Sequence, residues 1–404
     1  VKPGALSAGD IIEVTADRLA FGGEAVARHH GLAIFIPLAA PGERLRVRIT
    51  QRKKTYARAA IQQILEPSPE RREPPCPYFG ECGGCQLQHL TYEAQLASKV
   101  VFVRDALERI GRIDWPHDIP IRHAAELGYR SRARIKIDPR TRRVGYNRIG
   151  SNSVCDVASC KVLVPELDAA LSSLRAAVAG ARKDDRGFAE LRQVEIAAGA
   201  SGVAFDPPVN GLVGGPLEVS ASGAVYAFSP STFFQANPLL LDVLIKQALG
   251  DALGDLAIDL YAGVGLFTIQ LARRFSRVIG VEADSETAMH ALNNIYANRA
   301  VNVEFHASQV ESWLKRFNAK AEAPDFMVVD PPRTGAARSI PLIIELGPRR
   351  MSYVSCDPPT LARDLRLFID GGYEISAITA IDLFPQTYHV ETVVLLTRRQ
   401  QRDI

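Results

Sequence analysis

LAIDLYAGVGLFTIQLARRF, residues 256–275, decides the fold. A short apolar run meets Gly263 and Gly265, and beyond them the apolar positions take up a helical period. Strand, glycine turn and helix open a nucleotide-binding unit, where glycines let the backbone approach a ligand. VIGVEAD (278–284) then reads as a second strand ending in Glu282, SETAMHALNNIYANR as a helix and VNVEFHAS as a third strand. This alternation predicts an α/β fold, a doubly wound Rossmann-like sheet from about residue 229 onward. Thr268 stands where the third glycine of G-x-G-x-x-G belongs. An Asp-x-x-x-Gly-x-Gly turn with Glu282, an acid 17 residues beyond Gly265, suits S-adenosylmethionine better than a dinucleotide.

Two more strand ends point into that sheet. DFMVVD stops at DPPRTG (330–335), and a β-rich run stops at Ser355-Cys356 within YVSCDPPTL (353–361). Pro–Pro cannot continue a strand and biases the residue before it away from helix. Open α/β sheets bind ligands outside their strands' carboxyl ends, so Asp330 and Cys356 are expected in one crevice. Thr360 is the expected N-cap of the helix that follows. A cysteine just before a helix N-terminus stands where thiolate is favoured; the competing reading is a buried structural cysteine. Upstream, SPSTFFQANPLLLDVLIKQALGDAL (229–253) reads as a polar cap and a helix. At the other end two β runs flank LFPQTYHVE, which sets His389 and Glu391 beside the last strand.

The whole chain has 404 residues and a net charge of +3, which suits two or three domains of ordinary globular composition. It has no apolar run of about 20 residues that would span a membrane. The first residues, VKPGALSAGD, hold no apolar signal core, so a cytoplasmic location is expected. Six cysteines do not make a disulfide scaffold in a chain this long.

Residues 7–66 read as a small OB-like β-barrel, with short β runs broken by Gly22-Gly23, His30-Gly31 and Pro41-Gly42. Arg52, Lys53, Lys54 and Arg58 bracket Tyr56, a pattern suited to a phosphate backbone and a stacked base; the alternative is a solvated, lysine-blunted edge. EPSPERREPP (66–75) is a linker into a central region, 67–228. That region opens with CPYFGECGGCQLQHL (76–90), in which Cys76, Cys82 and Cys85 need a fourth ligand from Cys155 or Cys160. Four thiolates suit zinc or an iron–sulfur cluster. His89 is not expected to be a ligand. Residues 91–112 carry a helical period, and YRSRARIKIDPRTRRVGYNR (129–148) a half-buried strand with a basic face. Arg130, Arg132 and Arg134 are RNA-contact candidates, with Tyr129 a second stacking candidate.

Taken in order, these stretches resemble the RNA uracil-5 methyltransferases, in particular the iron–sulfur subgroup acting on 23S ribosomal RNA. The resemblance runs from IIEVTADRLAFGGEAVAR through CPYFGECGGCQLQH, CKVL (160–163), FFQANP, DLYAGVGLFT, DPPRTG and SCDPPTLARDL to LFPQTYHVETV. It implies an N-terminal TRAM barrel, a central α+β iron–sulfur region and a class I methyltransferase domain over 229–404. It implies a 4Fe–4S cluster on Cys76, Cys82, Cys85 and Cys160, with Cys155 outside the motif. It also implies S-adenosylmethionine contacts at Gln235, Tyr261, Gly263, Gly265, Glu282 and Asp330, with Ser308 or Gln309 after the third strand. Cys356 matches the nucleophile and Glu391 the base that takes the C5 proton. A monomer acting on rRNA is expected, with tRNA as the alternative substrate and a non-catalytic RNA-binding protein as a third reading. Two positions depart from the family pattern: Asp357 follows the nucleophile where relatives have Asn, and Leu266 stands where relatives have Asn.

Overall fold

The computed structural model describes residues 6–182, 186–317 and 323–399. The first five strands, β1 (Ile11–Leu19), β2 (Ala25–His29), β3 (Leu32–Ile36), β4 (Arg44–Arg52) and β5 (Tyr56–Glu66), close into a barrel in the order β1-β2-β3-β5-β4. Strict alternation builds it: on β4, Leu45, Val47 and Ile49 are buried inside, while Arg44 and Arg46 face out and share Glu13 of β1.

Helix α1 (Tyr92–Ala106) begins where Thr91 accepts a hydrogen bond from the Ala94 N–H, and it ends in a π-helical turn, Leu107–Gly111. Gly111 passes the Ala362 carbonyl so closely that a Cβ would sit 2.8 Å from it. Strand β6 (Ile121–Arg122) then joins the edge of the C-terminal sheet. A five-stranded sheet follows, built from β7 (Arg132–Asp138), β8 (Arg143–Asn147), β9 (Val154–Asp156), β10 (Gln193–Gly199) and β11 (Gly202–Asp206). Helix α2 (Pro165–Gly180) buries Leu167, Leu171, Leu174 and Val178 in the same core as Ile135, Ile137, Val194 and Ile196 of that sheet. The short α3 (Arg186–Glu190) and the hairpin β12 (Leu217–Ala221)–β13 (Ala224–Phe228) complete the region.

The C-terminal part alternates α4 (Leu241–Leu249), β14 (Gly254–Leu260), α5 (Leu266–Ala272), β15 (Phe275–Glu282), α6 (Ser285–Ala297), β16 (Val303–Ala307), α7 (Val310–Phe317), β17 (Phe326–Val329), α8 (Ile340–Leu346), β18 (Arg350–Ser355), α9 (Pro358–Asp370), β19 (Tyr373–Ile381) and β20 (Glu391–Arg398). Its eight-stranded sheet runs β16-β15-β14-β17-β18-β20-β19-β6. The first five are parallel and β20 is antiparallel to both its neighbours. Strand order reverses at β14, so the crevice for a ligand lies at the carboxyl ends of β14 and β17. Both faces are covered, and Ile258, Leu260, Val329, Tyr353 and Val394 lie wholly inside. Among the described residues no helix is long and apolar enough to cross a membrane.

Candidate active site

The strand order brings the chemistry-bearing side chains of 256–391 to one end of the sheet. Tyr261 follows β14, Glu282 ends β15, Asp330 follows β17 and Cys356 follows β18. β20 runs the other way, so its first residue lies at that same end: the register pairs Ser355 with Thr392, one step from Cys356 and Glu391.

The glycine turn is built as its sequence requires. Tyr261, Gly263 and Gly265 have φ of 61°, 57° and 90°, values that glycine adopts freely and tyrosine does not. The Tyr261 hydroxyl lies 2.8 Å from Ser339 Oγ. Glu282 accepts hydrogen bonds from the backbone N–H groups of Gly263 (3.0 Å), Ala283 (2.7 Å) and Asp284 (2.8 Å), so it shapes the turn as well as facing it. Ser308 donates its backbone N–H to the Glu282 carbonyl at 2.8 Å, and Gln309 is exposed beside it. Leu266 is the first residue of α5 and its side chain is in the core. Gln235 is buried at the rim of a cleft of about 370 Å³ between the hairpin and the central sheet.

Three carboxylates gather here. Asp259, wholly buried, accepts from Thr268 Oγ1 at 2.5 Å, while its Oδ1 has no hydrogen-bond partner among the described residues. Burial pushes its carboxyl up to about 7. Asp330 is pushed up by burial and then by the charge of Asp259. Glu391 is pushed up by burial and then by Asp330, against the pull of Arg333. Asp259 is the acid that opens the Asp-x-x-x-Gly-x-Gly turn read from the sequence, whereas Arg333, although it sits in DPPRTG, did not stand out there.

Cys356 departs from expectation in its ionisation. Burial pushes its thiol up to about 12, Glu391 and Asp330 add to this, and Arg333 opposes it by charge and hydrogen bond. Desolvation is the largest of these influences on the thiol. Thr360 is not the cap of that helix. Asp357 is, accepting from the Thr360 N–H at 2.9 Å, because the two prolines take the first helical positions. His389 Nε2 lies 3.5 Å from the Arg333 guanidinium, and burial holds its imidazole down at about 4.

Cys76, Cys82, Cys85 and Cys160 line one cavity of about 160 Å³, walled by Tyr78, Phe79, Arg130 and Tyr146. Among the described residues no three His, Cys, Asp or Glu side chains converge on a point where they would hold a single metal ion. Cys155 is buried outside the cavity, its thiol donating to Glu81 Oε1 at 3.5 Å. His89 turns Nε2 toward the Ala39 carbonyl, 3.2 Å away.

Of the basic candidates, Arg52, Lys53 and Lys54 stand exposed at the β4–β5 turn beside half-buried Tyr56. Arg130 lines the cysteine cavity and Arg134 is exposed, paired with Glu195. Two expectations fail. Tyr129 is fully buried, its hydroxyl donating to the Pro385 carbonyl at 2.9 Å, so it cannot stack on a base. Arg132 turns inward and donates to the carbonyls of Phe234 and Pro230, both at 2.8 Å, so its guanidinium braces the loop that carries Gln235.

The comparisons with known proteins agree with this architecture. The family described as tRNA (Uracil-5-)-methyltransferase matches residues 209–399, and the TRAM domain matches residues 7–61. The 23S rRNA (uracil(1939)-C(5))-methyltransferase of Aeromonas salmonicida is 34% identical over 421 residues, covering 95% of this chain and 96% of that protein. An uncharacterized RNA methyltransferase of Aquifex aeolicus is 33% identical, with 95% and 98% covered. The crystal structure of Pyrococcus abyssi tRNA (uracil-54, C5)-methyltransferase in complex with S-adenosyl-L-homocysteine shares the fold at a TM-score of 0.73 and 23% identity, covering 96% of this chain and 100% of that one. With such relatives spanning almost its whole length, the chain belongs to the RNA uracil-5 methyltransferases, in a branch that carries an N-terminal TRAM barrel.

Proposed function

We propose that the protein methylates C5 of a uridine in 23S rRNA, with S-adenosylmethionine as methyl donor, Cys356 as nucleophile and Glu391 as base. The observation that carries this reading is the β18–β20 register, which supports a thiol and a carboxyl meeting beside Asp330 at the switch point. The cofactor fits the crevice by charge. Asp259, with an unpartnered buried oxygen, and Asp330 favour a cationic ligand, and Tyr261, Glu282 and Gln235 would hold its remaining polar groups, with Ser308 near its base. When bound, it supplies an electrophilic methyl group on a sulfonium.

C5 of uracil is a weak nucleophile until another nucleophile has added at C6. The Cys356 thiol gives its proton to water, with the Arg333 charge favouring the thiolate; the sulfur then adds to C6, and the C5=C6 electron pair moves into an enolate directed at the methyl group. C5 takes the methyl, and its proton then passes to Glu391. The electrons of the C5–H bond reform the double bond as the Cys356 sulfur leaves C6. General-base help of this kind is worth about 10²–10⁴-fold. A carboxyl held above its ordinary range is, once ionised, a stronger base than an ordinary carboxylate, which suits it to taking that proton. The uridine must stand out of its stack to reach Cys356, and Arg52, Lys53, Lys54 and Tyr56 are suited to the surrounding strand.

The four free cysteines that line one cavity of about 160 Å³ make an all-thiol donor set, which suits a 4Fe–4S cluster. Cys76, Cys82, Cys85 and Cys160 would hold it. No step of the reaction moves an electron, so its role is to order the central region. Iron and acid-labile sulfide absent from anaerobically purified protein would refute this assignment.

The rRNA reading rests on the rRNA-directed relatives and the cysteine motif; tRNA is the second reading. Mapping 5-methyluridine in 23S rRNA and tRNA from a strain lacking the gene decides between them. Loss confined to tRNA would overturn the first.

A further inference from the structure

Gln386 sits five residues before Glu391, is wholly buried and has φ of 69°, a backbone region an ordinary side chain avoids. Every polar group it owns is engaged. Its carbonyl accepts from the backbone N–H groups of Gln86 and Leu87, both at 3.0 Å, directly after Cys85. Its own N–H donates to Gln95 Oε1 at 3.0 Å. The side-chain Oε1 accepts from Gln95 Nε2 (3.0 Å) and the Arg72 guanidinium (3.2 Å), and Nε2 donates to Glu126 Oε2 (3.0 Å). An arginine can only donate and a carboxylate only accept, so the amide orientation is fixed.

The turn around it is gripped in the same way. Lys99 of α1 reaches Asp382 and the Phe384 carbonyl, Tyr129 reaches the Pro385 carbonyl, and the Tyr388 ring meets Phe21 of the barrel edge-on at 5.2 Å. Barrel, cysteine loop and α1 thus converge on residues 382–388, and the chain next delivers His389 and Glu391. A strained backbone held by this many bonds is the pattern of a residue kept for where it puts its neighbours.

We propose that Gln386 is a positioning residue for the reaction: it ties the turn before Glu391 to the cysteine loop, α1 and Glu126, and so sets the carboxyl that removes the C5 proton. The inference rests on the reading of Glu391 as the base. Carbon–sulfur bond formation and methyl transfer do not need Glu391, whereas release of Cys356 from C6 does. A displaced Glu391 therefore stalls the reaction after methyl transfer, with the methylated uracil still bonded to sulfur.

The test follows single-turnover methylation of unmodified 23S rRNA and tRNA transcripts, using whichever the parent enzyme methylates. Denaturing gels read the covalent protein–RNA adduct and free RNA reads released product. Gln386→Leu is expected to hold methyl transfer within about threefold while slowing release at least about tenfold. Gln386→Glu, which sets two carboxylates together at Glu126, is expected to accumulate adduct, and the added Glu126→Gln to restore release. A general loss of folding would lower adduct and product together. Adduct with Glu391→Gln but none with the Gln386 variants overturns the positioning role alone. No adduct with Glu391→Gln overturns the base assignment and the inference with it. If Gln386→Leu does not fold, release by Gln386→Glu and by its Glu126→Gln partner decides: equal release in the two overturns the proposal.

Discussion

Lys99 and Asp382, 283 residues apart in sequence, form an ion pair with both side chains fully buried. Burial pulls the lysine down, and Asp382 partly restores it. Asp382 also accepts from the Tyr92 hydroxyl at 3.0 Å. The pair fastens α1, which lies outside the C-terminal sheet in sequence, to the turn between β19 and β20. Lys99→Met removes one partner and leaves a carboxylate uncompensated in the interior, at an expected cost of about 3–5 kcal/mol. Replacing both, Lys99→Met with Asp382→Leu, is expected to recover most of the loss, less about 1–3 kcal/mol for the stranded Tyr92 hydroxyl. Urea unfolding checks both; a double variant no more stable than the single one would contradict this account.

Arg333 is the positive charge that acts on the Cys356 thiol against burial, Glu391 and Asp330. Arg333→Met is expected to push the thiol higher, and each further pK unit lowers the thiolate fraction about tenfold. Site-resolved alkylation by iodoacetamide across pH should show slower modification at Cys356 and a profile displaced to higher pH. Cys356→Ala should abolish methylation and leave S-adenosylhomocysteine binding within about twofold. An unchanged alkylation profile in Arg333→Met would remove the arginine from this role.

Asp259 gives a pH dependence of defined sign. Its carboxyl is raised in the folded protein, so the folded state holds the extra proton. Its contribution to stability is fully present below the unfolded carboxylate range, near 4, and is lost as pH rises through about 7. The cofactor-free protein should therefore lose stability across this window, with Asp330 acting in the same direction. A cationic ligand prefers the ionised carboxylates, so S-adenosylmethionine binding should tighten over the same range. Asp259→Asn is expected to flatten both slopes, measured by unfolding and titration calorimetry at pH 5, 6.5 and 8. Parallel slopes in variant and parent would exclude Asp259 as their source.

What could be read from the sequence was what lies in short range. A Gly-x-Gly turn and two Asp-Pro-Pro breaks mark strand ends locally, and a parallel sheet then carries Tyr261, Asp330 and Cys356 to one edge. The barrel follows from period-two alternation in the same way. The ties that join the parts are long-range. Nothing local to Gln386 tells that Gln86, Gln95 and Glu126 surround it, and nothing local to Tyr129 or Arg132 tells that they turn inward. An arginine in a basic, alternating strand reads as a solvent-facing charge until the loop it braces is seen. Proton equilibria share this blindness: a helix N-terminus is visible in sequence, but the desolvation of Cys356 is not.

Asp357 follows the nucleophile at a position where the family resemblance leads to an expectation of Asn, and its place in the structure says what the position requires. Its Oδ1 accepts from the Thr360 N–H and hydroxyl, both at 2.9 Å, at the start of α9. Asn and Asp cap a helix about equally well, whereas Ala costs about 0.5–2 kcal/mol. The Asp side chain therefore does the capping that an Asn would do here. Asp357→Asn is expected to unfold within about 0.5 kcal/mol of the parent and to turn over within about twofold, whereas Asp357→Ala loses the cap and with it the fixed start of α9. Denaturation midpoints and single-turnover rates of the two variants check this together. A large gain in rate with Asp357→Asn would mean that the position also meets the uracil, and that this chain works with a weaker contact than its relatives.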